Sequence, residues 1–327
     1  MNYYQILKIT GIILLIFSLF MLIPISAAFF YEESIDNFLQ SFLIIFFVGL
    51  VAYFPNKKER SQIKIREGFL IVAIFWFVLS FFGAIPFLMD ESLKFNLVDA
   101  VFESASGWTT TGATVVSNID NLNKPLLLYR QLLQWLGGIG IVVLVLAILP
   151  ILGVGGMYLY KAETSSPVKD NKLSPRITET AKSLWGVYIA LTIACAVLYK
   201  IAGMSYFDAI GHSFSTVSIG GFSTHDASIG FYSSDLIKII CMVFMFLSAL
   251  NFVLHFLFYK NRSLTVYTSN SEMKSFLLII IILLLLVAIF STGGRIQSIE
   301  NIYIMFHILS FATTSGFTVS NYSNWPT

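Results

Sequence analysis

Apolar residues fill this chain in long unbroken blocks, near residues 9–31, 38–55, 68–89, 127–152, 184–202, 236–258 and 275–292. An α-helix needs about 20 such residues to cross the hydrocarbon core of a bilayer, so the pattern predicts seven membrane spans. The first block follows Lys8 and carries Ser26, Ala27 and Ala28, which also suits a cleaved signal peptide. Its apolar stretch is longer than the usual signal core, which favours a retained span.

Between the spans lie three segments with a different texture. Each begins with about 10 residues of helical character, too short to cross a bilayer, and then breaks into Thr, Ser and Gly. The first runs from Leu97 to Thr114 and ends Ser106-Gly107-Trp108-Thr109-Thr110-Thr111-Gly112-Ala113-Thr114. The second ends Ser215-Thr216-Val217-Ser218-Ile219-Gly220-Gly221-Phe222-Ser223-Thr224, and the third Ser310-Phe311-Ala312-Thr313-Thr314-Ser315-Gly316-Phe317-Thr318. Aligned on Gly112, Gly220 and Gly316, they place a hydroxyl two residues earlier, at Thr110, Ser218 and Thr314. The anchors are 108 and 96 residues apart, in step with the span pattern, so an internal repeat is expected.

A short helix followed by a polar break describes a re-entrant hairpin. Non-helical backbone at membrane depth must be buried in protein or face a watery cavity. Carbonyls aimed into such a cavity bind cations, and glycine permits the backbone angles that turn successive carbonyls the same way. Asp99 and Asp208 fall where they would open the short helices, which favours a carboxylate and leaves the negative helix ends toward the cation. Taken one at a time, these segments equally suit Thr/Gly-rich turns whose small residues allow close packing.

Composition sharpens the picture. Of the 327 residues, 57% are hydrophobic and 12% charged, with a mean hydropathy of +0.80, which excludes a soluble globular domain, a disordered chain and a nucleic-acid binder. The net charge is only +2, but its distribution is uneven. The loops at 56–67, 157–183 and 259–275, with the N-terminus, hold 14 basic and 6 acidic residues, whereas the rest holds 6 and 12. The basic side is expected to be cytoplasmic. The opposite side carries Asp90, Glu91, Asp99, Glu103, Asp120, Asp208, Asp226 and Asp235, an acidic mouth that would concentrate cations.

Other chemistry finds little support. Cys195 and Cys241 lie in apolar runs and read as small hydrophobes. Gly137-Gly138-Ile139-Gly140 and Gly153-Val154-Gly155-Gly156 follow no strand, so close helix packing explains them better than nucleotide binding. No H-E-x-x-H, G-x-S-x-G or Walker motif occurs and no carboxylate pair is set for acid/base work, so no enzyme is expected. His212 suits packing beside the pore or tuning of its field. His255 and His307 read as structural, and His225-Asp226 fits either an outer mouth or a turn cap. Arg295, with Glu300 nearby, reads as a surface residue or as a barrier to cation entry.

The residues resemble the Trk/Ktr/HKT superfamily of cation transporters. The resemblance rests on Arg66 to Val72, Phe102 to Thr114, Tyr129-Arg130-Gln131 with Gln134-Trp135, Ala147 to Met157, and above all Phe207 to Phe214 continuing through Gly220 to Gly230. It implies an all-α integral membrane protein with two leading helices and potassium-channel-like units of helix, pore loop and helix. The two leading helices would occupy 1–60, a first repeat 61–156, a cytoplasmic loop 157–183, a second repeat 184–259 and an incomplete third repeat 260–327. The implied function is potassium uptake through backbone carbonyls at Thr110, Thr111 and Gly112; Ser218, Ile219 and Gly220; and Thr314, Ser315 and Gly316. Gly112, where sodium-permissive members often carry serine, points to potassium. The resemblance also implies the bacterial inner membrane, a cytoplasmic N-terminus, contact with lipid, a homodimer and a cytoplasmic nucleotide-binding ring of TrkA type, with no cofactor and no nucleic acid. The family pattern continues beyond Thr327 with the rest of the third unit, its gating loop and a fourth unit. A truncated or split subunit that conducts only with a partner chain is therefore the alternative.

Overall fold

A computed structural model describes residues 2–59, 65–138, 140, 174–291 and 301–320, and among these every regular element is helical. In chain order they are α1 (Tyr3–Phe20), α2 (Leu22–Phe30), α3 (Asp36–Tyr53), α4 (Ile65–Phe82), α5 (Ile85–Met89), α6 (Leu97–Trp108), α7 (Lys124–Gly138), α8 (Ser174–Ile201), α9 (Tyr206–Val217), α10 (Asp235–Ala249), α11 (Phe252–Asn261), α12 (Thr265–Thr268), α13 (Ser271–Ser291) and α14 (Asn301–Ala312), joined in places by short 3₁₀ turns.

The apolar blocks become helices long enough to span. Tyr3–Phe30, Asp36–Asn56, Leu70–Met89 and Lys182–Ile201 each have the length and apolarity for a crossing. Two carry local breaks with identifiable causes. Met21 interrupts the first just before Pro24, and Gly83 interrupts the third just before Pro86, because proline supplies no amide to an i→i−4 bond. The expected run at 275–292 coincides with α13, apart from residue 292, which lies outside the described residues. For 127–152, only Lys124–Gly138 and residue 140 are described.

The block at 236–258 is not one span. It is α10 and α11, meeting at 93°. Leu250 turns extended, and the Asn251 side chain accepts the Val253 N–H at 3.0 Å, starting a new helix. The carbonyl of Leu247 accepts the Leu250 amide at 3.2 Å and is also bonded by His255 Nε2 at 2.9 Å, while His255 Nδ1 pairs with the Tyr267 hydroxyl at 2.8 Å. His255 thus has the structural role expected of it.

The chain divides into two compact units, one of Met1–Thr109 with Ala113–Trp185, the other of Thr110–Gly112 with Gly186–Thr327. In the first, α1 packs along α3. A side chain at Gly11 would come within 2.6 Å of the Tyr53 nitrogen, the close crossing that small residues allow. The core of this unit gathers around Trp108, fully buried and edge-on to Phe17 and Phe75. In the second unit, α9 packs on α10, and α14 lies against α10 and α13.

Candidate functional site

The three semi-polar segments share one local build. Each short helix, α6, α9 and α14, has 12 residues, about 18 Å, too little to cross the hydrocarbon core. Asn96 caps α6 by accepting the Val98 and Asp99 amides at 2.8 and 3.0 Å. Ser205 caps α9 by accepting the Asp208 amide at 3.0 Å while its hydroxyl donates to the Asp208 carboxylate at 2.8 Å. Asp99 and Asp208 therefore stand in the first helical turns, as their spacing predicted.

Past each helix the backbone alternates in the same way. Thr110 and Gly112 have φ of +54° and +76°, Ile219 and Gly221 +56° and +81°, and Thr314 and Gly316 +63° and +77°. Thr110, Ile219 and Thr314 are all β-branched, the residue type least suited to the left-handed region, so each holds roughly 1–3 kcal/mol of strain. Three such outliers at one position of a repeat mark a conformation that the fold enforces.

This geometry corrects the alignment by one residue. In the second segment the glycine equivalent to Gly112 and Gly316 is Gly221, not Gly220, and the repeat distances are 109 and 95 residues. Hydrogen bonds give the same register. The amides of Thr109, Ser218 and Thr313 bond Ala105, Phe214 and Leu309, and those of Gly220 and Ser315 bond Ser215 and Ser310. Ser218 therefore caps α9, and Ile219 takes the place given to a hydroxyl residue in the other two segments. The shared serine-to-carbonyl bonds run from Ser106 to Ala113 and from Ser310 to Phe317, at 2.5 and 2.7 Å.

The second and third triplets lie together. Thr110–Gly112 belongs to the unit that contains the other two segments. A side chain on Gly221 would fall 1.9 Å from the Ser315 carbonyl oxygen, so glycine is required there by both space and backbone angle. After Gly221, the turn at Ser228–Phe231 docks on the third segment. The Gly230 amide donates to the Thr318 carbonyl at 3.0 Å, and the Thr318 amide to the Ser228 hydroxyl at 3.2 Å. Thr111, Thr314 and Gly316 are exposed, while Ser315 and Gly220 are buried.

With that geometry established, the comparisons decide the family. The family model described as TrkH, cation transport protein, matches residues 34–327. The Trk system potassium uptake proteins TrkH of Halomonas elongata and Escherichia coli K12 are each 47% identical over 330 residues, covering 100% of this chain and 68% of theirs. The Trk system potassium uptake protein TrkG of Escherichia coli K12 is 39% identical over 97% of this chain and 66% of its own. The crystal structure of the potassium transporter TrkH from Vibrio parahaemolyticus matches with a TM-score of 0.86 and 42% identity, over 100% of this chain and 68% of that one. The chain belongs to the TrkH cation transport protein family. It is an all-helical membrane protein of a transporter family, not an enzyme.

Within this TrkH-family fold, several charges sit elsewhere than the acidic-mouth reading placed them. Glu103 and Arg130 are both fully buried and pair at 2.8 Å. Glu103 also accepts the Thr114 hydroxyl at 3.0 Å and the Val115 amide at 3.1 Å. Asp90 is buried as well, accepting from Asn123 at 2.8 Å and from Ser92. Neither carboxylate is free to form a surface funnel. His225 stacks on Phe231 at 3.5 Å and approaches Asp208 at 3.5 Å, joining the second loop to the start of α9.

Sequence reasoning missed Gly221 and the Glu103–Arg130 pair. The Gly-Phe-Ser and Gly-Phe-Thr strings that begin at Gly221 and Gly316 carried the correct register. Gly137 does pack closely, its added Cβ meeting the Trp108 carbonyl at 1.9 Å. Gly153–Gly156, Arg295, Glu300 and most of the loop at 157–183 lie outside the described residues. Cys195 and Cys241 are buried free thiols.

Proposed function

We propose that this chain carries potassium inward across the bacterial inner membrane through a filter of backbone carbonyls at Thr110–Gly112, Ile219–Gly221 and Thr314–Gly316. The observation that carries the reading is the threefold strained alternation at Thr110, Ile219 and Thr314 with the glycine two residues on. A backbone whose φ alternates in sign turns successive peptide oxygens to one side, as a site that replaces an ion's hydration shell requires. The helices α6, α9 and α14 end immediately before these triplets, adding their partial negative ends. Ile219 lacks a hydroxyl, so the second loop offers main-chain oxygen alone. The relatives are named potassium uptake proteins, and Gly112 keeps the glycine expected of a potassium filter.

The basic loops then face the cytoplasm, where the N-terminus lies and a TrkA-type nucleotide-binding ring would dock on a homodimer. The repeat boundaries at 61–156, 184–259 and 260–327 follow from the same reading. The test is potassium uptake in cells deprived of their own uptake systems, with this chain alone and with this chain joined to the C-terminal third of a relative. Restored growth at low potassium by either form supports the proposal. Membrane insertion without uptake in both forms refutes it. Uptake only by the extended form assigns this chain to a subunit completed by further sequence.

A further inference from the structure

Nine residues before Gly112, Gly221 and Gly316 stand Glu103, His212 and His307. All three are buried, and each reaches the segment just beyond its own glycine. Glu103 accepts the Val115 amide at 3.1 Å and the Thr114 hydroxyl at 3.0 Å. His212 Nε2 pairs with the Ser223 hydroxyl at 2.9 Å, its Nδ1 being fixed on the Asp208 carbonyl at 2.9 Å. His307 Nε2 accepts the Val319 amide at 3.5 Å, with Nδ1 on the Tyr303 carbonyl at 2.8 Å. Thr114, Ser223 and Thr318 are equivalent in the corrected register, as are Val115, Thr224 and Val319. Three residues of differing chemistry thus perform one task at one position.

A packed residue needs only shape, and a leucine would supply it. Here each ring or carboxylate sends at least one hydrogen bond to the segment just beyond the glycine, and holds a second partner on its own side: Arg130 for Glu103, and a helix carbonyl for each histidine. In His212 and His307 the second nitrogen is anchored one helical turn back, which fixes the ring plane so that Nε2 aims at the loop. The strained alternation of the preceding triplets stores free energy that relaxes unless both ends are held. The helix holds the entry. We propose that Glu103, His212 and His307 hold the exit, as positioning residues that set the spacing of the filter oxygens and hence the preference among monovalent cations. This rests on the potassium-filter reading for its consequence, and on the hydrogen bonds of Glu103, His212 and His307 for the holding itself.

The test compares His212→Leu, His212→Gln, Ser223→Ala and the His212→Leu/Ser223→Ala pair in the same chain, scored by potassium over sodium uptake. The potassium preference should fall roughly tenfold in the leucine variant, the equilibrium worth of one buried hydrogen bond. Glutamine, which keeps a polar group at similar reach, should restore it to within about twofold, and the double variant should be no worse than the leucine variant alone, because both remove one contact. Equal loss in the glutamine and leucine variants, or unchanged preference in both, overturns the proposal. Amide exchange by mass spectrometry keeps the holding testable without transport: His307→Leu should speed exchange at Val319 roughly tenfold and His307→Gln should not. Unchanged exchange overturns the proposal. Faster exchange alongside a wild-type chain that prefers no cation instead refutes the filter reading and leaves the holding role standing.

Discussion

The first and second semi-polar segments have the same alternating backbone and different chemistry behind it. Behind Gly112 lies a buried ion pair, Glu103 with Arg130, both with no exposed surface. Behind Gly221 lies a neutral arrangement, His212 spanning the Asp208 carbonyl and the Ser223 hydroxyl. The same hydrogen-bonding position is thus filled by a charged group in one segment and by a ring in the other. The two solutions differ in vulnerability. A buried pair that loses one partner leaves an uncompensated charge, whereas loss of His212 removes one hydrogen bond from a Ser223 hydroxyl that still accepts the His225 amide at 3.0 Å.

The widest gap between the two is expected from Arg130→Ala. It strands Glu103 in the core of the first unit and should cost about 3–5 kcal/mol, read as lost thermal stability of the purified protein and recovered in part by the double variant with Glu103→Leu. His212→Leu should cost less, about 1–3 kcal/mol by the same measurement. Next comes Gly137→Ala, whose added carbon meets the Trp108 carbonyl at 1.9 Å. It should displace the end of α6 at a cost of about 1–3 kcal/mol and disturb the first segment more than the second, visible as faster amide exchange at 109–114 than at 218–223. The smallest effect belongs to the caps. Asn96→Ala and Ser205→Ala should each cost about 1 kcal/mol, and near-equal losses would show that the two short helices start alike even though the residues behind their glycines differ.

How much of this was legible in the sequence follows from the range of the forces involved. Span length, the short helices and their carboxylate-bearing first turns are local properties, and Leu97–Trp108 and Tyr206–Val217 formed where the pattern put them. The break at Leu250 was hidden because no proline or glycine marks it. Its only local sign is Asn251, a cap residue within an apolar run. The one-residue shift at Gly220–Gly221 arose because two adjacent glycines satisfy any string match, and only backbone angle tells them apart. Glu103 looked like a surface carboxylate because its partner lies 27 residues away on another helix, a separation that no periodicity reports.

The central claim is that the filter passes through Ile219–Gly221, in register with Thr110–Gly112 and Thr314–Gly316. Its most direct test is the ratio of potassium to sodium uptake in Gly220→Ser and Gly221→Ser, measured side by side with Gly112→Ser. Gly221→Ser and Gly112→Ser should both lower the ratio, while Gly220→Ser, whose φ is not left-handed, should lower it less. A ratio that falls in Gly220→Ser and stays at the wild-type level in Gly221→Ser would contradict the claim.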